Sequence, residues 1–155
     1  MLKPIRGRKE KNSGGRFAIV ASQYNARYVD AMVRAARKEL AKVESVQIVR
    51  VPGAFEIPLA TAKLARAETP FSAIICLGII LRGATSHAQH IGEGVTRALM
   101  TLQLECEIPI IHEVLLLENE EQARERCLGS KFNRGKEAAQ TAMTMAAVLK
   151  TLGSN

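Results

Sequence analysis

The residues best suited to chemistry close a run of small side chains, Leu81-Arg82-Gly83-Ala84-Thr85-Ser86-His87. Glycine lets a backbone come close to a ligand, and small residues opening a helix leave its first N–H groups free to hold an anion. A nucleotide-triphosphate loop would need Lys-Ser/Thr after its second glycine, whereas Gly83 is followed by Ala84-Thr85. A simple phosphate ester is the better match. A lone histidine is most often structural, but His87, flanked by Arg82, Thr85 and Ser86, is a candidate general acid/base. His87, His90 and Glu93 stand at i, i+3 and i+6, which drifts around a helix and is not H-E-x-x-H, so no metal site is expected. His90 is expected one turn further in, packed or supporting the site from behind.

Three other segments carry polar groups at turns. Ser22-Gln23-Tyr24-Asn25 offers in Tyr24 a flat face with a polar rim; standing alone it also reads as a surface aromatic. Val51-Pro52-Gly53-Ala54-Phe55-Glu56-Ile57-Pro58 turns at Pro-Gly and puts Glu56 at a helix start. There it serves the helix dipole or accepts bonds from ligand hydroxyls. In Glu125–Glu137, Arg126 suits a last helical turn or a fork of donors to phosphate, and Asn133 looks like an N-cap. Spacing alone assigns neither a function.

The elements that must position these groups follow from periodicity. Phe17–Ala21, Val46–Val51, Ala73–Leu81 and Pro109–Leu117 are β-favouring apolar runs, the third suited to burial on both faces. Between them lie helical stripes: Val29, Met32, Val33, Ala36, Leu40; then Ile57, Ala60, Leu64, with Pro58 confined to the first turn; then Ile91, Val95, Leu99, Leu102. Glu120–Cys127 is a short charged helix capped by Asn119, and Ala138, Ala142, Met145, Leu149 and Leu152 stripe the last. The βαβα order predicts an α/β fold of three layers, a parallel sheet of about four strands with helices on both faces. Ligands in such folds bind beyond the carboxyl ends of the strands, where the polar turns lie.

At 155 residues the chain is long enough for one domain without staples, here residues 16–155 behind a basic arm at 1–15. Cys76, Cys106 and Cys127 are odd in number and lack CxxC spacing, which argues against disulfides and a cysteine zinc site. No apolar run reaches the ~20 residues of a membrane span, and the start has no apolar signal core, so a cytoplasmic location is expected. Much of the net charge of +7 sits at the N-terminus, in Lys3, Arg6, Arg8, Lys9, Lys11 and Arg16 against Glu10. Without interleaved aromatics it reads as a solvated arm, or an aid to binding small anions, rather than a nucleic-acid surface.

Together, Val51–Pro58 (VPGAFEIP), Leu81–His87 (LRGATSH), Glu120–Arg126 (EEQARER) and Asn133–Gly135 (NRG) resemble the lumazine synthases in order and spacing, from about Phe17 to Leu152. The resemblance implies a flavodoxin-like fold and condensation of 5-amino-6-(D-ribitylamino)uracil with 3,4-dihydroxy-2-butanone 4-phosphate. It implies no metal or organic cofactor. By motif, Tyr24 stacks on the pyrimidine and Asn25 follows it; Ala54, Phe55 and Glu56 hold the ribityl chain. Ile79, Ile80 and Leu81 line the ring pocket, Gly83, Ala84 and Thr85 form the phosphate loop, and His87 transfers protons. Arg126 binds phosphate from a neighbouring subunit, while Arg134 and Glu137 assist from the pocket wall.

The sequence departs from the family at several of these positions. Tyr24 stands where Phe or Trp is usual and Arg134 where Lys is usual. His112 stands where an aromatic, commonly Phe, reaches over the heterocycle from the next subunit. Cys127–Phe132 also lacks the family's Ala-Gly-Thr-Lys pattern. A homo-oligomer is implied, a pentamer or an icosahedral shell of pentamers. A non-catalytic flavin or lumazine binder on the same scaffold, and a basic nucleic-acid-binding domain, are the competing readings.

Overall fold

A computed structural model describes residues 14–153. The arm residues Lys3–Lys11 lie outside that range. Arg16, grouped above with the arm's charge, opens the first strand; its guanidinium donates to the Thr69 carbonyl at 2.8 Å and lies over the Phe71 ring.

Strands β1 (Arg16–Ser22), β2 (Ser45–Val51), β3 (Ala73–Leu81) and β4 (Ile110–Leu117) form one all-parallel sheet in the order β2-β1-β3-β4. This is the flavodoxin-like arrangement expected of alternating strands and helices. The two central strands, β1 and β3, are apolar on both faces and almost wholly buried. Helices α1 (Ala26–Glu39), α4 (Glu120–Cys127) and α5 (Arg134–Gly153) cover one face. Helices α2 (Ile57–Ala65) and α3 (His87–Cys106) cover the other.

The predicted stripe of α1 is buried as expected. Against it α5 comes very close: a Cβ on Gly135 would drive into the Met32 carbonyl, so only glycine fits. Helix α5 also outruns α1, about 30 Å against about 21 Å at 1.5 Å per residue. Its last turns therefore leave Met145 and Leu152, of the predicted stripe, exposed together with Val148.

Helix α2 is turned slightly from its apolar stripe. It buries Ile57, Thr61 and Ala65 most deeply, with Ala60 and Leu64 alongside. Burying Thr61 is tolerable because its hydroxyl bonds the Ile57 carbonyl at 2.8 Å and the Cys76 thiol at 3.3 Å. The predicted caps form: Asn119 Oδ1 accepts from the Gln122 amide at 3.0 Å, and Asn133 Oδ1 from the Gly135 amide at 2.8 Å.

Strand β4 forms one edge of the sheet. Ile74 pairs with Ile110 and its amide donates to the Pro109 carbonyl, so the amides of Ile110, His112, Val114 and Leu116 point away from β3. Two of these are taken by side chains. The Ile110 amide donates to Gln103 Oε1 at 2.9 Å, and the Val114 amide to His112 Nδ1 at 3.1 Å.

Candidate active site

Past its last residue, β1 stays stitched to β2: the Gln23 amide donates to the Val51 carbonyl at 2.7 Å and the Tyr24 amide to the Pro52 carbonyl at 3.0 Å. This carries Tyr24 to the Pro-Gly turn. Asn25 follows in the left-handed region, at φ 58°, where asparagine is among the few residues at ease. Its side-chain amide donates to the Ile79 carbonyl at 2.9 Å, tying the first loop to the end of β3. Arg50 braces the same corner, donating to the Ser22 carbonyl at 3.1 Å and pairing with Asp30 at 2.6 Å.

After the Pro-Gly turn, Ala54–Glu56 forms a 3-10 turn into α2. Glu56 Oε2 accepts the Gly53 amide at 3.0 Å, which fixes the carboxylate; Oε1 takes no hydrogen bond among the described residues. After β3, the chain from Gly83 to Ser86 leads into α3, whose first residue is His87. The His87 amide donates to Thr85 Oγ1 at 3.3 Å. The remaining free amides of that first turn face outward, as at any helix N-terminus.

These three loops enclose a cleft of about 760 Å³, within the usual range for a ligand site. Tyr24, Asn25, Ala54, Phe55, Glu56, Ile79, Ile80, Leu81, Gly83, Thr85 and His87 all line it. Ala84 is exposed in the same turn but is not part of the wall. Tyr24 is 74% exposed and Phe55 68%, so nothing among the described residues covers these rings.

Two residues behave differently from expectation. His90 is exposed and lines the cleft rather than packing inward, because α3 begins at His87 and i+3 returns to the same face. Arg82 turns away: it donates to Glu118 at 2.9 Å and to Gln89 at 2.8 Å, and Gln89 donates to Glu93 at 2.6 Å. Glu93 is thereby engaged in a surface network. Among the described residues no group of three His, Cys, Asp or Glu side chains is placed to hold a metal ion.

His112, Arg126, Arg134 and Glu137 do not line this cleft. His112 sits on β4 facing α3, half-buried, with Nε2 2.7 Å from Thr96 Oγ1. Burial lowers its pKa below the ordinary histidine value. Arg126 lies in the last turn of α4, and Arg134 pairs with Glu137 at 3.1 Å across the first turn of α5.

Sequence reasoning missed Glu113, which lies on the opposite face of β4 from His112, beside Arg134 and Glu137. Burial pushes its carboxyl up to about 7, against the pull of Arg134 and with the help of Glu137. Cys127 is pushed up to about 11 by burial, raised further by Glu113 and lowered by Arg126 and Arg134. A carboxylate inside the apolar run of β4 was the available signal. One chain thus carries a cleft at the ends of β1–β3 and a separate charged cluster beside β4.

The sequence profile of the 6,7-dimethyl-8-ribityllumazine synthases matches residues 14–150. A 6,7-dimethyl-8-ribityllumazine synthase of Stenotrophomonas maltophilia is 40% identical over 141 residues, covering 88% of this chain and 90% of its own. One from Xanthomonas campestris is 39% identical over 141 residues, covering 88% and 91%. One from Xanthomonas oryzae is 38% identical over the same length and shares. The chain belongs to the 6,7-dimethyl-8-ribityllumazine synthase family.

Proposed function

We propose that the chain condenses 5-amino-6-(D-ribitylamino)uracil with 3,4-dihydroxy-2-butanone 4-phosphate to 6,7-dimethyl-8-ribityllumazine, releasing phosphate and water. This is the penultimate step of riboflavin synthesis. The observation that carries the reading is one cleft, in a chain of this family, that joins Tyr24, the Gly53–Glu56 turn, the end of β3 and the turn into His87.

Tyr24 is assigned to stack on the pyrimidine, with Asn25 fixing its loop. Ala54, Phe55 and Glu56 take the ribityl chain, the free Glu56 oxygen accepting from its hydroxyls. Ile79, Ile80 and Leu81 form the apolar ring wall. Gly83, Ala84 and Thr85 seat the phosphate on the first turn of α3. The uracil amine attacks the ketone, water leaves to give a Schiff base, phosphate is eliminated, and ring closure expels a second water. His87 moves protons in these steps. Holding two substrates together supplies most of the acceleration, since effective molarity is worth up to about 7–11 kcal/mol.

His112, Arg126, Arg134 and Glu137 are assigned to the cleft of a neighbouring copy, with Arg126 on the phosphate. The site is then complete only in a homo-oligomer, a pentamer or an icosahedral shell of pentamers. The exposed Tyr24, Phe55, Met100, Leu104, Met145 and Leu152 support burial between copies. Three free thiols fit a reducing, cytoplasmic setting. The test mixes both substrates with protein of measured oligomer mass and follows fluorescent lumazine and released phosphate. No turnover together with tight flavin binding would favour a carrier, and active monomers would refute the shared site.

A further inference from the structure

The ring of His112 is held by both nitrogens. The Val114 amide points outward from the β4 edge and donates to Nδ1 at 3.1 Å, while Nε2 lies 2.7 Å from the Thr96 hydroxyl on α3. A backbone N–H can only donate, so Nδ1 is the bare nitrogen and the proton sits on Nε2. Nε2–H then donates to Thr96 Oγ1. An imidazolium would set a second N–H against the Val114 amide, donor to donor, so this geometry selects the neutral ring. Both in-plane edges are committed, and turning the ring about its Cβ–Cγ bond would break both bonds. Only the two faces are left for other contacts.

We propose that Thr96 is a positioning residue, which with the Val114 amide holds His112 as a neutral, flat Nε2–H imidazole that offers a face, not a nitrogen, to the pyrimidine in the adjoining cleft. The proposal rests on the reading that His112 reaches a neighbour's heterocycle. It explains how a histidine does the work of a stacking aromatic: the polar atoms are satisfied within the chain, and the π surface remains. Thr96 is exposed on α3, so its hydroxyl is not needed for core packing.

Thr96→Val keeps the side-chain shape and removes the acceptor. It is expected to raise KM for the ribityl pyrimidine about fivefold, the effect of one net hydrogen bond. KM for the phosphorylated ketone and kcat should stay near the wild-type values. Thr96→Ser should restore the pyrimidine KM. In a His112→Phe background, Thr96→Val should change nothing. Nitrogen-15 spectra of labelled histidine should show a single Nε2–H tautomer in the wild-type protein, and in Thr96→Val an Nε2 resonance shifted by loss of its hydrogen bond. A wild-type ring protonated on Nδ1, an unchanged pyrimidine KM in Thr96→Val, or the same rise in the Phe background would each overturn the proposal. If the wild-type protein makes no lumazine, the assigned reaction fails. Equilibrium binding of the pyrimidine to the same variants, with the tautomer spectra, then decides the Thr96 proposal separately.

Discussion

Asn25 hangs from Ile79: its side-chain amide donates to the Ile79 carbonyl at 2.9 Å while its own backbone holds φ 58°. Two costs therefore meet in Asn25→Ala, a lost hydrogen bond and an alanine in the left-handed region. Together they should destabilise the fold by about 2 kcal/mol. Asn25→Gly keeps the backbone at ease and should lose only about half of that. Urea midpoints of the two variants check the split, and equal losses would mean that the bond alone matters.

The approach of α5 to α1 at Gly135 leaves no room for a methyl group. Gly135→Ala must push the helices apart, and a cost of about 1–3 kcal/mol is expected, as for other overpacked sites. Chemical denaturation measures it. An unchanged midpoint would show that the α1–α5 contact yields freely.

His87→Ala is expected to slow turnover by about 10²-fold or less, because proximity of the two substrates survives the change. Steady-state rates with both substrates saturating measure it. A fall to the uncatalysed rate would mean that His87 does more than carry protons.

Arg126→Ala should chiefly raise KM for the phosphorylated ketone and weaken competition by inorganic phosphate, leaving the pyrimidine KM near its original value. If neither phosphate measure moves, the assignment of Arg126 is wrong.

Glu113 gives stability a pH dependence. Its folded pKa, raised from an ordinary 4.5 to about 7, means that the folded state holds the proton more tightly. Its contribution is fully present below 4.5 and is lost as pH rises through about 7. His112 acts oppositely: with a lowered folded pKa, its contribution is present above 6.5 and is lost as pH falls. Thermal midpoints at fixed protein concentration between pH 5 and 8 should lose their alkaline fall in Glu113→Gln. A variant that keeps that fall would acquit Glu113.

Much of this was legible because periodicity and turn chemistry are local. Ala73–Leu81 could be read to the residue, since an unbroken apolar run has only a doubly covered strand to go to. Asn119 and Asn133 announced their helices for the same reason. The cleft followed, because parallel strands bring their carboxyl-end loops to one side. What failed depended on where an element begins and on what lies beside it. His90 was misread because its face is set by where α3 begins, and the exposure of Met145 and Leu152 went unread because α5 outruns its partner. Arg82 looked like part of the anion turn until Glu118, just past β4, and Gln89, on α3, took its donors. Glu113 drew no notice because its environment is made by Arg134 and Glu137, more than 20 residues later.

The side-chain bonds along the outer row of β4 bear on what the chain does before it meets its own kind. An open strand margin is a template on which stray polypeptide can add, and from which fibrils grow. With Gln103 and His112 already occupying the Ile110 and Val114 amides, an intruding strand must first break two bonds to gain register there. A newly made copy is thereby guarded against promiscuous zippering at that border.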